Sequence, residues 1–312
     1  MSSKKPWAAL LAIILIVVGE IVFMTKTESL TGMPFLQPSA DDATVVVKRS
    51  LIPMSAGKVI LVGDSSCMMG LNPVVMKKHS LVAVNLGTLS SMTLEGFACL
   101  AEEALKETPM PKAIVLVVLP RSFEVTETQA REFNLLSRYL VAYGKTSNQI
   151  TTTLRDHWST FTRKHVFNLF PSEFNGSYSA FEQALHETKG HWPERKIYKG
   201  TKEPISTFEA SDFARQALHR LSVAADVNKV PLYLWISPTP ADSVTEVYAN
   251  KVNTFLDELK KTEPSLQQVH DRIPLWPPER FGTVTHLNPA SAKIQSEEFA
   301  NHFSAYRQRT TE

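Results

Sequence analysis

The chain has 312 residues, with 33 Lys plus Arg against 31 Asp plus Glu, a formal net charge of +2, 43% hydrophobic and 21% charged residues. At about 150 residues per domain this length fits two small domains or one larger one, and the composition excludes wholesale disorder and a multi-span membrane protein. Because the charges balance and no long like-charge run occurs, a partner bound through phosphate neutralisation is excluded, and no nucleic acid is expected.

The first element is an apolar stretch from Pro6 to Met24, interrupted by one charge, Glu20, and preceded by Lys4 and Lys5. At about 1.5 Å per helical residue it is long enough to cross a hydrocarbon layer roughly 30 Å thick. The h-region of a cleaved signal peptide has a similar length, but Thr25-Lys26-Thr27-Glu28-Ser29 offers no small-x-small site, which favours an uncleaved anchor over residues 1–24. The two lysines put that end in the cytoplasm. The expected location is therefore the cytoplasmic membrane, single-pass, with the bulk of the chain on the extracytoplasmic (periplasmic) side. Glu20 either snorkels to the interface or meets another membrane protein.

Residues 25–56, which carry Gly32, Pro34, Pro38 and Pro53, read as a linker. Lys58 to Val62 is a β-branched run stopped by Gly63-Asp64-Ser65-Ser66, a strand followed by a tight turn. Val82 to Leu86 is a second short strand ending at Gly87, and Thr93 to Lys106 has helical spacing. Ala113 to Leu119 is apolar throughout, as in a strand buried on both faces. From about 124 to 198 the alternation gives way to an aromatic-rich helical insertion. It resumes with a helix from Ser206 to Lys229, a strand from Val230 to Ile236, a helix from about Asp242 to Lys261 and a last helix from Pro289. Strands alternating with helices predict a three-layer α/β domain with a parallel sheet over 57–312.

In such sheets chemistry concentrates at the carboxyl ends of the strands. A serine at a strand-to-helix turn, such as Ser65, is placed where free N–H groups favour a developing oxyanion, and it needs a base. Ser66 is its neighbour and rival, an N-cap role is the structural alternative for Ser65, and Asp64 reads as a turn-stabilising carboxylate. Among nine histidines, His286 stands just before the final helix. His157, His165, His186 and His191 show no ligand spacing, and Cys67 and Cys99 no CxxC or CxxH neighbour, so no metal or cofactor is expected. Both cysteines read as buried small apolar residues.

Val62-Gly63-Asp64-Ser65, Asn85-Leu86-Gly87 and His286-Leu287-Asn288 together resemble the first, second and last blocks of the SGNH, or GDSL-like, hydrolase superfamily. The resemblance covers about residues 58–122 and 206–305 and implies an SGNH/flavodoxin-like fold. It implies Ser65 as nucleophile, His286 as base, and the N–H groups of Ser65 and Gly87 as oxyanion donors. Two positions depart from the pattern. Leu119-Pro120-Arg121-Ser122 stands where the family has Gly-x-Asn-Asp, leaving Arg121 as a substitute oxyanion donor, a substrate anchor or a structural cation. Thr283 stands where the triad acid is expected, so Asp271 or Glu279 replaces it, the site is a dyad, or the site is not catalytic.

An anchor joined to an external domain of this kind resembles the partners of membrane-bound O-acyltransferases. The implied function is O-acylation, in particular O-acetylation, of an exported polysaccharide or wall polymer through a serine acyl-enzyme, beside a multi-pass membrane-bound O-acyltransferase. A carbohydrate or acyl esterase and a non-catalytic docking partner are the alternatives. Trp158, Phe161, Phe167, Phe170, Tyr178 and Trp192 either line a glycan groove or pack the insertion.

Overall fold

The computed structural model describes residues 40–132, 178–194, 196–201 and 203–309. The expected anchor and the aromatic residues from Trp158 to Phe170 lie outside them, and no described helix is long and apolar enough to cross a membrane.

The first described element corrects the linker reading. Residues Ala40–Ser50 form helix α1, whose Val45 and Val47 are buried, and Leu51 and Ile52 continue into the core. Thr44, Val47, Lys48 and Leu51 are buried at the three- and four-residue spacing of a helical stripe, hidden in the sequence by the surrounding prolines. Strand β1 (Val59–Gly63) then leads into helix α2 (Ser65–Gly70) and helix α3 (Pro73–Lys78). Next come β2 (Ala83–Asn85), α4 (Thr93–Ala104), β3 (Ala113–Val118) and the short α5 (Glu127–Glu132). After the insertion helix α6 (Tyr178–Glu187) follow α7 (Asp212–Val227), β4 (Leu232–Ile236) and β5 (Thr239–Pro240). The chain continues through α8 (Glu246–Thr262), β6 (Leu266–Gln268), β7 (Leu275–Trp276) and α9 (Pro289–Arg309).

Five strands pair in the order β2-β1-β3-β4-β6, every pairing parallel, and β5 and β7 make a separate two-stranded parallel ladder. The Leu-Gln-Gln run of β6 carries no apolar signature, so the sequence pattern does not predict this strand. Strands β1, β3 and β4 are buried along their whole length, as their uninterrupted apolar runs predict. Alternate residues feed two cores. Ile60, Val62, Ile114 and Leu116 pack with α4, α7 and α8, whereas Leu61, Val115, Tyr233 and Trp235 pack with α2, α3 and α9. The sheet therefore lies between two helical layers.

The chain leaves β1 for the edge strand β2, then returns across β1 to β3 and builds outward in the other direction. That reversal opens a crevice at the carboxyl ends of β1 and β3. The segments at those ends are Asp64-Ser65-Ser66 and Leu119-Pro120-Arg121-Ser122.

Candidate active site

Asp64 builds the nucleophile turn. It caps α2, its Oδ1 accepting from Ser66 N at 2.9 Å and from Ser66 Oγ at 2.5 Å. Its Oδ2 accepts from Leu119 N at 2.9 Å and from Ser122 Oγ at 2.6 Å, tying the end of β1 to the end of β3. At 1% exposure, with both oxygens occupied, it is a structural carboxylate. Ser66 faces inward, its Oγ also 2.7 Å from Ser237 Oγ, so the rival serine is consumed by the scaffold. Ser65, the first residue of α2, is half-buried and turns the other way.

Ser65 Oγ lies 2.8 Å from His286 Nε2, and His286 Nδ1 lies 2.9 Å from Glu194 Oε2. An ionised carboxylate can only accept, so Nδ1 carries the imidazole proton and donates it to Glu194, and Nε2 is left to accept from the Ser65 hydroxyl. The three groups thus form a nucleophile, a base and an orienting acid in series. Glu194 is 8% exposed, and its Oε1 accepts from Lys196 N at 2.9 Å.

The acid is not where the sequence placed it. Asp271 is on the surface, where it accepts from Lys260 Nζ at 2.8 Å; that pairing, with Arg272 beside it, holds its carboxyl below the usual range. Glu279 is exposed in the Pro278–Arg280 turn, where its carbonyl accepts from Asn288 Nδ2. Thr283 is a turn residue whose Oγ1 accepts from the His286 N–H at 3.1 Å. Glu194 lies in the aromatic-rich insertion, and no spacing in the sequence links it to His286.

Gly87 also has a different role from the one expected. Its N–H donates to Asn85 Oδ1 at 2.8 Å, so it is already committed, closing a turn at the end of β2. What requires glycine is proximity, since a Cβ would stand 2.7 Å from Cys67 Cβ, Cys67 Sγ and Met68 N on α2. The fully buried Asn85 then pins α2 in place, its Nδ2 donating to Cys67 O and Leu71 O at 2.8 Å. The Ser65 N–H, at the first position of α2, has no intrahelical acceptor.

Arg121 is exposed at the mouth of a groove lined by Leu119, Pro120, Ile205, Tyr248 and Thr285. Among the described residues no hydrogen bond joins it to Ser65 or His286. Its charge bears on Glu124 and Tyr248, both of whose pKa values are raised mainly by burial. The groove is a shallow one that reaches Val284 and Thr285, just before His286 in the chain, and neither Ser65 nor His286 lines it. Thr239, 7% exposed, also lines it, with an Oγ1 that has no partner among the described residues.

The segment bearing Glu194 is fastened at several points. Asn85 N donates to Lys189 O at 2.9 Å, Trp192 N to Met68 O at 3.1 Å, and His191 Nε2 lies 3.2 Å from Met69 O. Burial pulls His191 down to about 4, so the neutral ring donates through Nε2. No disulfide joins Cys67 and Cys99, and both are buried as expected. Burial pushes the Cys67 thiol well above its ordinary range. Among the described residues no cluster of His, Cys, Asp and Glu is arranged to hold a metal ion. No protein-family model matches this chain, and no curated protein or solved structure does.

Proposed function

We propose that the protein is a membrane-anchored, extracytoplasmic SGNH-like O-acyltransferase that acetylates an exported polysaccharide through a serine acyl-enzyme. The observation that carries the reading is the Ser65–His286–Glu194 series, with contacts of 2.8 and 2.9 Å. It is supported by the position of the series at the sheet's switch point in a flavodoxin-like strand order. The apolar stretch at Pro6–Met24 supports the anchor.

In this mechanism His286 Nε2 removes the Ser65 proton as Oγ adds to the acyl carbonyl. Glu194 stabilises the resulting imidazolium. The Ser65 N–H donates to the oxyanion, and Gly87 can add a second donor only by releasing Asn85 Oδ1. The imidazolium protonates the leaving group, which departs. His286 then deprotonates an acceptor hydroxyl that attacks the acyl-serine, and collapse returns Ser65 its proton. A multi-pass membrane-bound O-acyltransferase is the proposed acyl donor.

The test offers the full chain in detergent a serine-reactive phosphonate and an activated acetyl ester, with oligosaccharide present. Labelling at Ser65, absent in Ser65→Ala, and acetyl transfer to sugar support the reading. Release of acetate to water alone makes the protein an esterase, and no labelling leaves the docking role.

A further inference from the structure

Lys48 is a lysine in the wrong place for a surface residue. It projects from α1 into the interior at 0% exposure, and no carboxylate among the described residues pairs with it. Its Nζ donates to Asn85 O at 3.0 Å and to Gly190 O. Burial lowers it to about 7, so the site carries a desolvation cost that an apolar side chain would avoid.

The two carbonyls it joins belong to the two parts that must stay in register for the triad. Asn85 holds α2, and hence Ser65, through its side-chain bonds to Cys67 O and Leu71 O. Gly190 opens the segment that ends in Glu194. The approach there is close: a Cβ on Gly190 would lie 1.9 Å from Asn85 O and 3.2 Å from Lys48 Nζ. The opposite side of the segment is equally tight, since a Cβ on Gly282 would lie 2.6 Å from Glu194 Cγ.

We propose that Lys48 is a positioning residue for the triad: by bridging Asn85 O and Gly190 O it fixes the segment that presents Glu194 to His286. The inference rests on the acyl-transfer reading above. It makes the lead-in helix, read from sequence as a linker, part of the support of the active site.

The experiment uses the full chain and three variants, Lys48→Met, Glu194→Gln and the double variant. Two readings are taken: the second-order rate of Ser65 labelling by the phosphonate, and the low-field proton resonance of the His286 Nδ1–H. A misplacement of the acid by about 1 Å is expected to slow Lys48→Met by about 10²-fold and to shift or abolish the resonance. Because Lys48 acts through Glu194, the double variant should label no more slowly than Glu194→Gln alone. Labelling of Lys48→Met within about twofold of wild type, or effects that multiply in the double variant, overturns the proposal. If Lys48→Met does not fold, Lys48→Gln, which keeps a polar donor on a shorter side chain that cannot span both carbonyls, is read in the same way. If the wild type does not label, the acyl-transfer reading fails, and the resonance alone then decides whether Lys48 positions Glu194: unchanged in the variant, it rejects the inference.

Discussion

Glu194 and His286 are 92 residues apart in sequence, yet Glu194 Oε2 stands 2.9 Å from His286 Nδ1. The contact exists because the segment from Lys189 to Glu194 runs along β2 and α2, and because Gly282 leaves room for Glu194 beside the His286 turn. A carboxylate delivered by an insertion thus stands where Thr283 supplies only a turn hydroxyl.

Replacing Glu194 with Gln keeps the shape of the side chain and removes the charge that holds the Nδ1 proton. The rate of Ser65 labelling should fall by about 10³ to 10⁴, as when a triad loses its orienting carboxylate. Asp271→Asn, which disturbs a surface pair with Lys260 and the charge beside Arg272 and His270, should leave the rate unchanged. Measuring both variants with one phosphonate separates the two acids, and equal losses would reject Glu194.

The two adjacent serines should behave in opposite ways. Ser65→Ala removes the nucleophile and abolishes labelling. Ser66→Ala leaves the nucleophile and removes bonds to Asp64 and Ser237, so it should lower the urea midpoint while labelling persists. Asp64→Ala should destabilise more, by at least about 2 kcal/mol, because it strands buried donors at Leu119 and Ser122. Full labelling in Ser65→Ala would show that the turn is shifted.

Strand and helix types were legible wherever apolar runs were long, as in Ala113–Val118, and so were the crevice and the Ser65–His286 pair. Three features were not. Helix α1 was hidden among prolines, β6 has too few apolar residues to signal a strand, and Glu194 is linked to His286 only through tertiary contacts. The resemblance implies an oxyanion N–H at Gly87, whereas in the structure that N–H is bonded to Asn85 and a Cβ at residue 87 would collide with Cys67. Short-range patterns report which residues share a face; they do not report which loop crosses which turn.

The close packing at Gly87 makes a methyl there costly. A methyl at residue 87 would meet backbone and Cβ atoms of α2 at 2.7 Å, so the helix must move and carry Ser65 with it. Gly87→Ala should therefore lose stability, by about 1 to 3 kcal/mol for overpacking, and label more slowly. The variant keeps the backbone N–H, so an unchanged unfolding midpoint would reject the close-packing account of Gly87.

The buried bases set a pH dependence of stability. His191 and His270 are each lowered from 6.5 to about 4 by burial, and His270 Nδ1 has no partner among the described residues. Between those values the unfolded chain binds more protons than the folded one, so stability rises with pH across the window and is lost as pH falls from 6.5 towards 4. Each histidine contributes up to about 1.4 kcal/mol per pH unit there. Lys48, lowered from 10.5 to about 7, acts with the same sign in a higher window, so its contribution grows as pH rises from 7 to 10.5. Urea unfolding from pH 4 to 10 should show both rises, with His270→Gln flattening the lower and Lys48→Met the upper. A Lys48→Met curve that keeps the wild-type slope above pH 7 would mean that Lys48 stays fully protonated in the folded chain across that window.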